Sequence, residues 1–170
     1  MSDDIIKQII DKPCPYATQR HGLKPVAIVI HITDGYGMPD SWFERNPRHV
    51  SAHFCVGRQG ELHQYVHTSQ AAAHAGIIDR PSAEIVREHG KINPNYYTIG
   101  IEHEGKGGDA LTPEQWATSL AIVRFVAKKW GIPLDRKHII GHREIRASKT
   151  CPGTGVDLEE YVRRLCAQDS

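Results

Sequence analysis

Two histidines and one cysteine in this sequence have the residue types of a metal site. His31 directly follows the apolar run Val26–Ile30, and His142 comes just after the short strand pattern His138–Ile140. Taken singly, each histidine is equally well explained as a structural residue, and Cys151 as a small buried apolar group. Taken together, two imidazoles and one thiolate suit zinc, and three protein ligands leave a fourth position for water, as in catalytic sites.

A carboxylate and an amine could add acid–base chemistry to such a site. Glu102 lies within the predicted strand Tyr97–His103, on the same face as Gly100, where the missing side chain leaves room for water or substrate. A carboxylate buried there would be costly unless it were paired or working, so Glu102 is the candidate general base. Lys149 precedes Cys151 by two residues and could stabilise an oxyanion, although a solvated lysine is the alternative.

The remaining candidates would contact substrate. His53 lies in a predicted strand and His74 lies among small residues, so either ring could line a groove, and Arg58 in a predicted hairpin turn is grouped with them. The other histidines are interpreted as structural or surface residues: His21, His49, His63, His67, His89, His103 and His138.

The composition is that of an ordinary globular chain with one unusual feature. Hydrophobic residues make up 39% and charged residues 24% of 170 residues, which argues against disorder. The formal net charge of +1 gives no electrostatic reason to expect nucleic acid or an anionic membrane surface as a partner. Eleven histidines are several times the usual number, which favours a metal or acid–base site.

The N-terminal sequence does not resemble a secretory signal peptide, because Met1–Ile6 is acidic and polar residues soon interrupt its apolar stretch. No apolar run reaches the length of a membrane span. We therefore expect a protein that is synthesised in the cytoplasm and not inserted into a membrane. We also expect it to be a monomer. Cytosolic thiols are usually reduced, so the irregularly spaced cysteines predict no disulfide framework.

Alternating strand and helix patterns predict an α/β fold with a central mixed β-sheet flanked by helices. The clearest helix begins at Thr112, which forms a capping box with Gln115, and ends at Gly131. Residues 76–95 are predicted to be a long surface loop, with one helical turn as an open alternative. The other predicted elements are strands at 26–30, 52–56, 61–66, 97–103 and 138–140, a short helix near 5–10, and a final helix from Asp157 to Ala167.

Motifs in a characteristic order connect these candidates to a known family. The chain resembles the type-2 N-acetylmuramoyl-L-alanine amidases, which include phage endolysins and cytosolic recycling amidases and are related to the peptidoglycan recognition proteins. The resemblance runs from Val26 to Cys151. It rests on Ile28–His31, Val50–Phe54 leading to Gly60, Ala73–Gly76, Ile99–Glu102, Gly141–Ile145 and Lys149–Gly153.

The resemblance implies a single Zn²⁺-dependent amidase domain over 1–170, in which 1–24 forms an N-terminal helix and lead-in segment. It makes His31, His142 and Cys151 the zinc ligands, and Glu102 and Lys149 the catalytic residues. Some members carry a tyrosine where this chain has Ala52, so a tyrosine-assisted mechanism is not expected.

The implied substrate is peptidoglycan or a muropeptide, cut between the lactyl group of muramic acid and L-alanine. The cysteine ligand resembles the phage and animal branches and favours an endolysin that reaches the wall after membrane breakdown. Three alternatives stay open, namely a cytosolic recycling amidase, a non-catalytic peptidoglycan-binding module and a zinc peptidase acting on the stem peptide.

Overall fold

The computed structural model describes residues 4–167. The first three and last three residues of the predicted domain 1–170 lie outside this range. Within it, no helix is both long enough and apolar enough to cross a membrane.

The described residues form one mixed sheet and a small antiparallel ribbon. The six-stranded sheet has the order β1-β5-β4-β7-β3-β8, and the ribbon pairs β2 with β6. Every pair in the large sheet is parallel except the β4–β5 hairpin. The strands are β1 (Ile9–Asp11), β2 (Ala17–Thr18), β3 (Ala27–Ile30), β4 (Phe54–Val56), β5 (Leu62–Gln64), β6 (Ala71–Ala72), β7 (Thr98–His103) and β8 (Ile139–Gly141).

Four α-helices accompany the strands within residues 4–167. The capping box of Thr112 and Gln115 is present at the start of the longest one, and Gly131 ends it with φ of 69°, as predicted. Asp157 caps the last helix by accepting from two backbone N–H groups. The helices are α1 (Asp40–Arg45), α2 (Glu84–Glu88), α3 (Pro113–Trp130) and α4 (Leu158–Cys166), with 3₁₀ turns at Ile6–Gln8, Pro94–Tyr96 and His142–Glu144.

Two local predictions need correction. The helix expected near residues 5–10 is a single 3₁₀ turn followed by β1, because Ile9 pairs in parallel with Leu62 at the edge of the sheet. Pairing with a strand distant in sequence thus overrides a weak local helical pattern. The predicted loop 76–95 contains α2 as well as a 3₁₀ turn.

The sheet is covered on both faces. All four residues of β3 are fully buried, as the continuous apolar run predicted. Ile28 and Ile30 pack on the side of α3 and α4, whereas Ala27 and Val29 pack on the side of α2. This alternation means that only the ends of the central strands can present polar side chains to a cleft.

His53 is a buried neutral histidine that links two strands. Its Nδ1 accepts from the Gly100 N–H at 3.0 Å, and its Nε2 lies 2.9 Å from the carbonyl of Gln70. Burial, and then the charge of Arg20 at 3.1 Å, lowers the pKa of His53 to about 3. In the unfolded chain this ring would titrate near its usual value of about 6.5.

We predict that His53 makes stability depend on pH. Because its folded pKa is depressed, the stability it contributes is present above pH of about 6.5 and is lost as pH falls, by up to about 1.4 kcal/mol per pH unit. Urea unfolding of the metal-free chain over this acidic range should show a shallower pH slope for His53→Asn than for wild type. The exposed His67→Asn is the matched control, and equal slopes in all three proteins would contradict the prediction.

Candidate metal centre

The parallel register places His31 beside His142. Ile30, the last residue of β3, is paired with Gly141, the last residue of β8. The next residue of each chain segment is a histidine, and the two ring centroids lie 4.8 Å apart. Two distant histidines therefore meet because their strands are hydrogen-bonded neighbours that end at the same level.

Cys151 reaches the same point from the loop after β8. Its Sγ accepts from the Ile32 N–H at 3.3 Å and lies 3.6 Å from Nδ1 of His31. The loop is anchored by the Arg143 N–H, which donates to the Cys151 carbonyl at 2.9 Å. Gly153 closes the loop against Gly107, where an added Cβ would come within 1.9 Å of a backbone oxygen.

The three donors fit a zinc ion. The ligand atoms of His31, His142 and Cys151 all lie within 4.8 Å of one another. Burial lowers the pKa of His31 well below its usual value and that of His142 to about 4, so both rings are neutral and offer a lone pair. Burial raises the pKa of the Cys151 thiol to about 12, so its sulfur becomes a strong ligand only when a metal displaces the proton.

Glu102 lies beside these donors and lacks a full set of partners. Its Oε1 is 4.0 Å from Nδ1 of His31, and its Oε2 is buried with no hydrogen-bond partner among residues 4–167. Burial raises the pKa of Glu102 to about 8. An uncompensated buried carboxylate is costly, so this position needs a cation or a water to satisfy it.

A cleft of about 390 Å³ opens over the donors. Lys149 is exposed and lines this cleft, and its charge is close enough to lower the pKa of His142. The cleft is also lined by Trp42 and Arg48, which sequence analysis did not identify as candidates. The sequence signal that could have identified them is that an aromatic and a cationic residue shortly precede the motif Val50–Phe54.

The three predicted substrate contacts have different environments. His53 does not reach the cleft, because its ring is fully buried and bonded, so the expectation that it lines a groove is wrong. His74 does line the cleft, but its ring fills the space that Gly100 was expected to leave for substrate. Arg58 is not among the lining residues, and its guanidinium lies 3.6 Å from Asp109. Substrate binding by His74 and Arg58 stays a prediction.

A family model described as N-acetylmuramoyl-L-alanine amidase matches residues 21–154. The chain belongs to this family. The resemblance stated from the sequence motifs is thereby confirmed, and the mixed sheet with flanking helices agrees with the fold it implied.

Two curated relatives show how close the similarity is. The chain is 31% identical over 138 residues to N-acetylmuramoyl-L-alanine amidase A of Achromobacter lyticus, covering 80% of this chain and 63% of that protein. It is 34% identical over 113 residues to 1,6-anhydro-N-acetylmuramyl-L-alanine amidase AmpD of Escherichia coli K12, covering 66% and 56%. The chain thus spans less than two thirds of the length of these relatives.

Solved structures agree with the fold. A selenomethionine derivative of AmpD matches with a TM-score of 0.76 and 26% identity, covering 94% of this chain and 95% of that chain. The endolysin LysCS of Clostridium intestinale matches with a TM-score of 0.69 and 20% identity, covering 94% and 96%. The second similarity supports the architecture alone.

We predict that this protein binds one zinc ion per chain through Cys151. Cys151→Ala should lose this ion, because two imidazoles alone leave the site one donor short. Metal analysis after dialysis against a competing chelator measures the stoichiometry. The exposed Cys166→Ala is the matched control and should bind like wild type, whereas full zinc occupancy in Cys151→Ala would remove this thiol from the site.

Proposed function

We propose that this chain is a zinc-dependent N-acetylmuramoyl-L-alanine amidase that hydrolyses the amide between the lactyl group of muramic acid and L-alanine. The observation that carries the proposal is that three protein donors, rather than four, converge on one point, which leaves a coordination position open as in catalytic zinc sites. Two neutral imidazoles and one thiol converge in an open cleft, beside a carboxylate whose Oε2 is buried with no hydrogen-bond partner in the part of the chain that the structure describes. A structural zinc site would instead use a fourth protein ligand.

A bound zinc ion would act as a Lewis acid and bring the pKa of its water to about 7. Glu102 then accepts a proton from the attacking water as the new C–O bond forms. The same carboxyl returns that proton to the amide nitrogen as the C–N bond breaks. Burial raises the pKa of Glu102 to about 8 in the metal-free chain, and a cation bound beside it would lower that pKa, so that the carboxylate could accept a proton near neutral pH.

Lys149 is proposed to stabilise the negative charge that develops on the carbonyl oxygen. Its side chain is exposed on the cleft wall and forms no ion pair among the residues that the structure describes. Ala52 is fully buried, and it offers no hydroxyl for the tyrosine-assisted step of other members. Proton transfer therefore depends on Glu102, and charge stabilisation on Lys149.

We predict that Glu102→Gln and Lys149→Met keep zinc but lose turnover by at least about a hundredfold each, because each removes a group that acts in the transition state. The assay is digestion of purified peptidoglycan, followed by identification of the new end groups. New L-alanine amino termini are expected. Lys128→Met, on the exposed face of α3, should retain full activity.

Three outcomes would contradict parts of this proposal. Wild-type activity in either cleft variant would remove that residue from the mechanism. New amino termini within the stem peptide would identify a peptidase, and binding of peptidoglycan without cleavage would identify a recognition module.

Two substrates of different size are candidates, namely intact peptidoglycan and small soluble muropeptides. The endolysin interpretation rests on the cysteine ligand, and the endolysin LysCS is similar in fold alone. The relatives above 30% identity include proteins named 1,6-anhydro amidases, which favours small soluble anhydro-muropeptides.

Comparing the rates of hydrolysis of intact sacculi and of a purified anhydro-muropeptide separates these candidates. We expect faster cleavage of the small substrate, because the cleft is compact and the residues that line it come from one domain. Efficient release of soluble material from intact sacculi, with slow cleavage of the muropeptide, would favour the endolysin instead.

A further inference from the structure

A line of hydrogen bonds leads from the main chain to the candidate metal ligand His31. The Thr98 hydroxyl lies 2.7 Å from the carbonyl of Pro94 and 3.1 Å from Nε2 of His74. On its other side, the His74 ring places Nδ1 at 2.9 Å from Nε2 of His31. The Thr98–His74 and His74–His31 links join residues 24 and 43 positions apart in the sequence, so these two links are a product of the fold.

The proton positions along this line follow from the first link. A carbonyl only accepts, so the single hydroxyl proton of Thr98 goes to Pro94. The Thr98 oxygen must then accept from Nε2–H of His74. A neutral ring protonated at Nε2 has a lone pair at Nδ1, and this atom accepts from Nε2–H of His31. Nδ1 of His31 is thereby left without a proton, on the side of the Cys151 sulfur.

The His74 ring is held in place by two further contacts. The Asn95 side-chain oxygen accepts from the backbone N–H of His74 at 3.1 Å and of Ala75 at 2.8 Å. The ring lies against Gly100, where an added Cβ would come within 2.5 Å of its Cγ. Glycine at this position in β7 is therefore a condition for the ring to reach both Thr98 and His31.

We propose that Thr98 and His74 are positioning residues that fix the tautomer of His31, so that Nδ1 is the atom it presents to the metal. The inference rests on the proposed zinc site, and it assigns roles to two residues outside the donor set. A metal-binding imidazole is commonly oriented by the partner of its other nitrogen. Here that partner is a second histidine whose own orientation is set by a hydroxyl.

The alternation of side chains along β7 places Thr98 on the same face of the sheet as Gly100 and Glu102. Thr98, Gly100 and Glu102 alternate along the strand, so all three lie on the side of the donors. One strand thus supplies the hydroxyl that orients His74, the gap that admits its ring and the proposed general base.

The test compares Thr98→Val, which keeps the shape but lacks the hydroxyl, with Thr98→Ser, which restores it. Zinc dissociation constants are measured by competition with a chromophoric chelator. We expect Thr98→Val to bind zinc about ten- to a hundredfold more weakly, and Thr98→Ser to stay close to wild type. Thr118→Val is the matched control, because it removes a buried hydroxyl that donates to the Gly60 carbonyl at 2.9 Å, away from the metal centre.

A second readout is the tautomer itself, observed by nitrogen-15 NMR of the histidine rings in the metal-free chain. Wild type should show His31 protonated at Nε2 alone, and Thr98→Val should show a mixture of tautomers. This measurement needs no bound metal, so it tests the inference separately from the proposed function. If the wild-type chain binds no zinc but shows the expected tautomer, the proposed zinc site is contradicted and the tautomer assignment is still supported.

Three results would overturn the inference. They are a wild-type His31 protonated at Nδ1, an unchanged tautomer in Thr98→Val, or equal zinc affinity in Thr98→Val, Thr118→Val and wild type. Weaker zinc binding in Thr118→Val as well as Thr98→Val would show a general loss of stability and would also count against it.

Discussion

The parallel register of three neighbouring strands is the constraint on which the site depends. β3 is hydrogen-bonded to β7 on one side and β8 on the other, so His31, Glu102 and His142 emerge at one level at the edge of the sheet. Because side chains alternate along a strand, a slip of one residue would turn Glu102 into the core and Ile101 towards the cleft. Buried backbone hydrogen bonds between the strands therefore fix the relative positions of these three residues, and the loop that carries Cys151 completes the site.

Buried polar groups stabilise the side of the sheet that faces the cleft. Arg20 is buried without a carboxylate partner among residues 4–167 and donates to the backbone carbonyls of residues 68, 95, 96 and 98. Three of these bonds hold residues 95–98, which lead into β7 and include Asn95 and Thr98, the two residues whose side chains contact His74. The unusual number of histidines thus has two causes. Some are positioned for chemistry, and others, such as His53, are neutral hydrogen-bonding groups of the interior.

Local sequence patterns predicted the elements whose signals are strong and self-contained. The apolar run of β3, the alternation of β7 and the capping box of α3 needed no information from elsewhere in the chain. The candidate donor set was predicted from two histidines after strands, one cysteine and the family resemblance, and the structure brings the three donor atoms within 4.8 Å of one another. In contrast, β1 depends on a distant partner strand, the cleft wall at Trp42 depends on how a short helix docks, and the role of Thr98 depends on which ring its hydroxyl meets.

The central claim is that two imidazoles and one thiolate share a zinc ion that retains an open position. X-ray absorption at the zinc edge of the loaded chain measures this coordination directly. We predict one sulfur at about 2.3 Å, two imidazole nitrogens at about 2.0–2.1 Å and one light solvent atom. A spectrum without sulfur, or with four protein ligands and no exchangeable position, would contradict it.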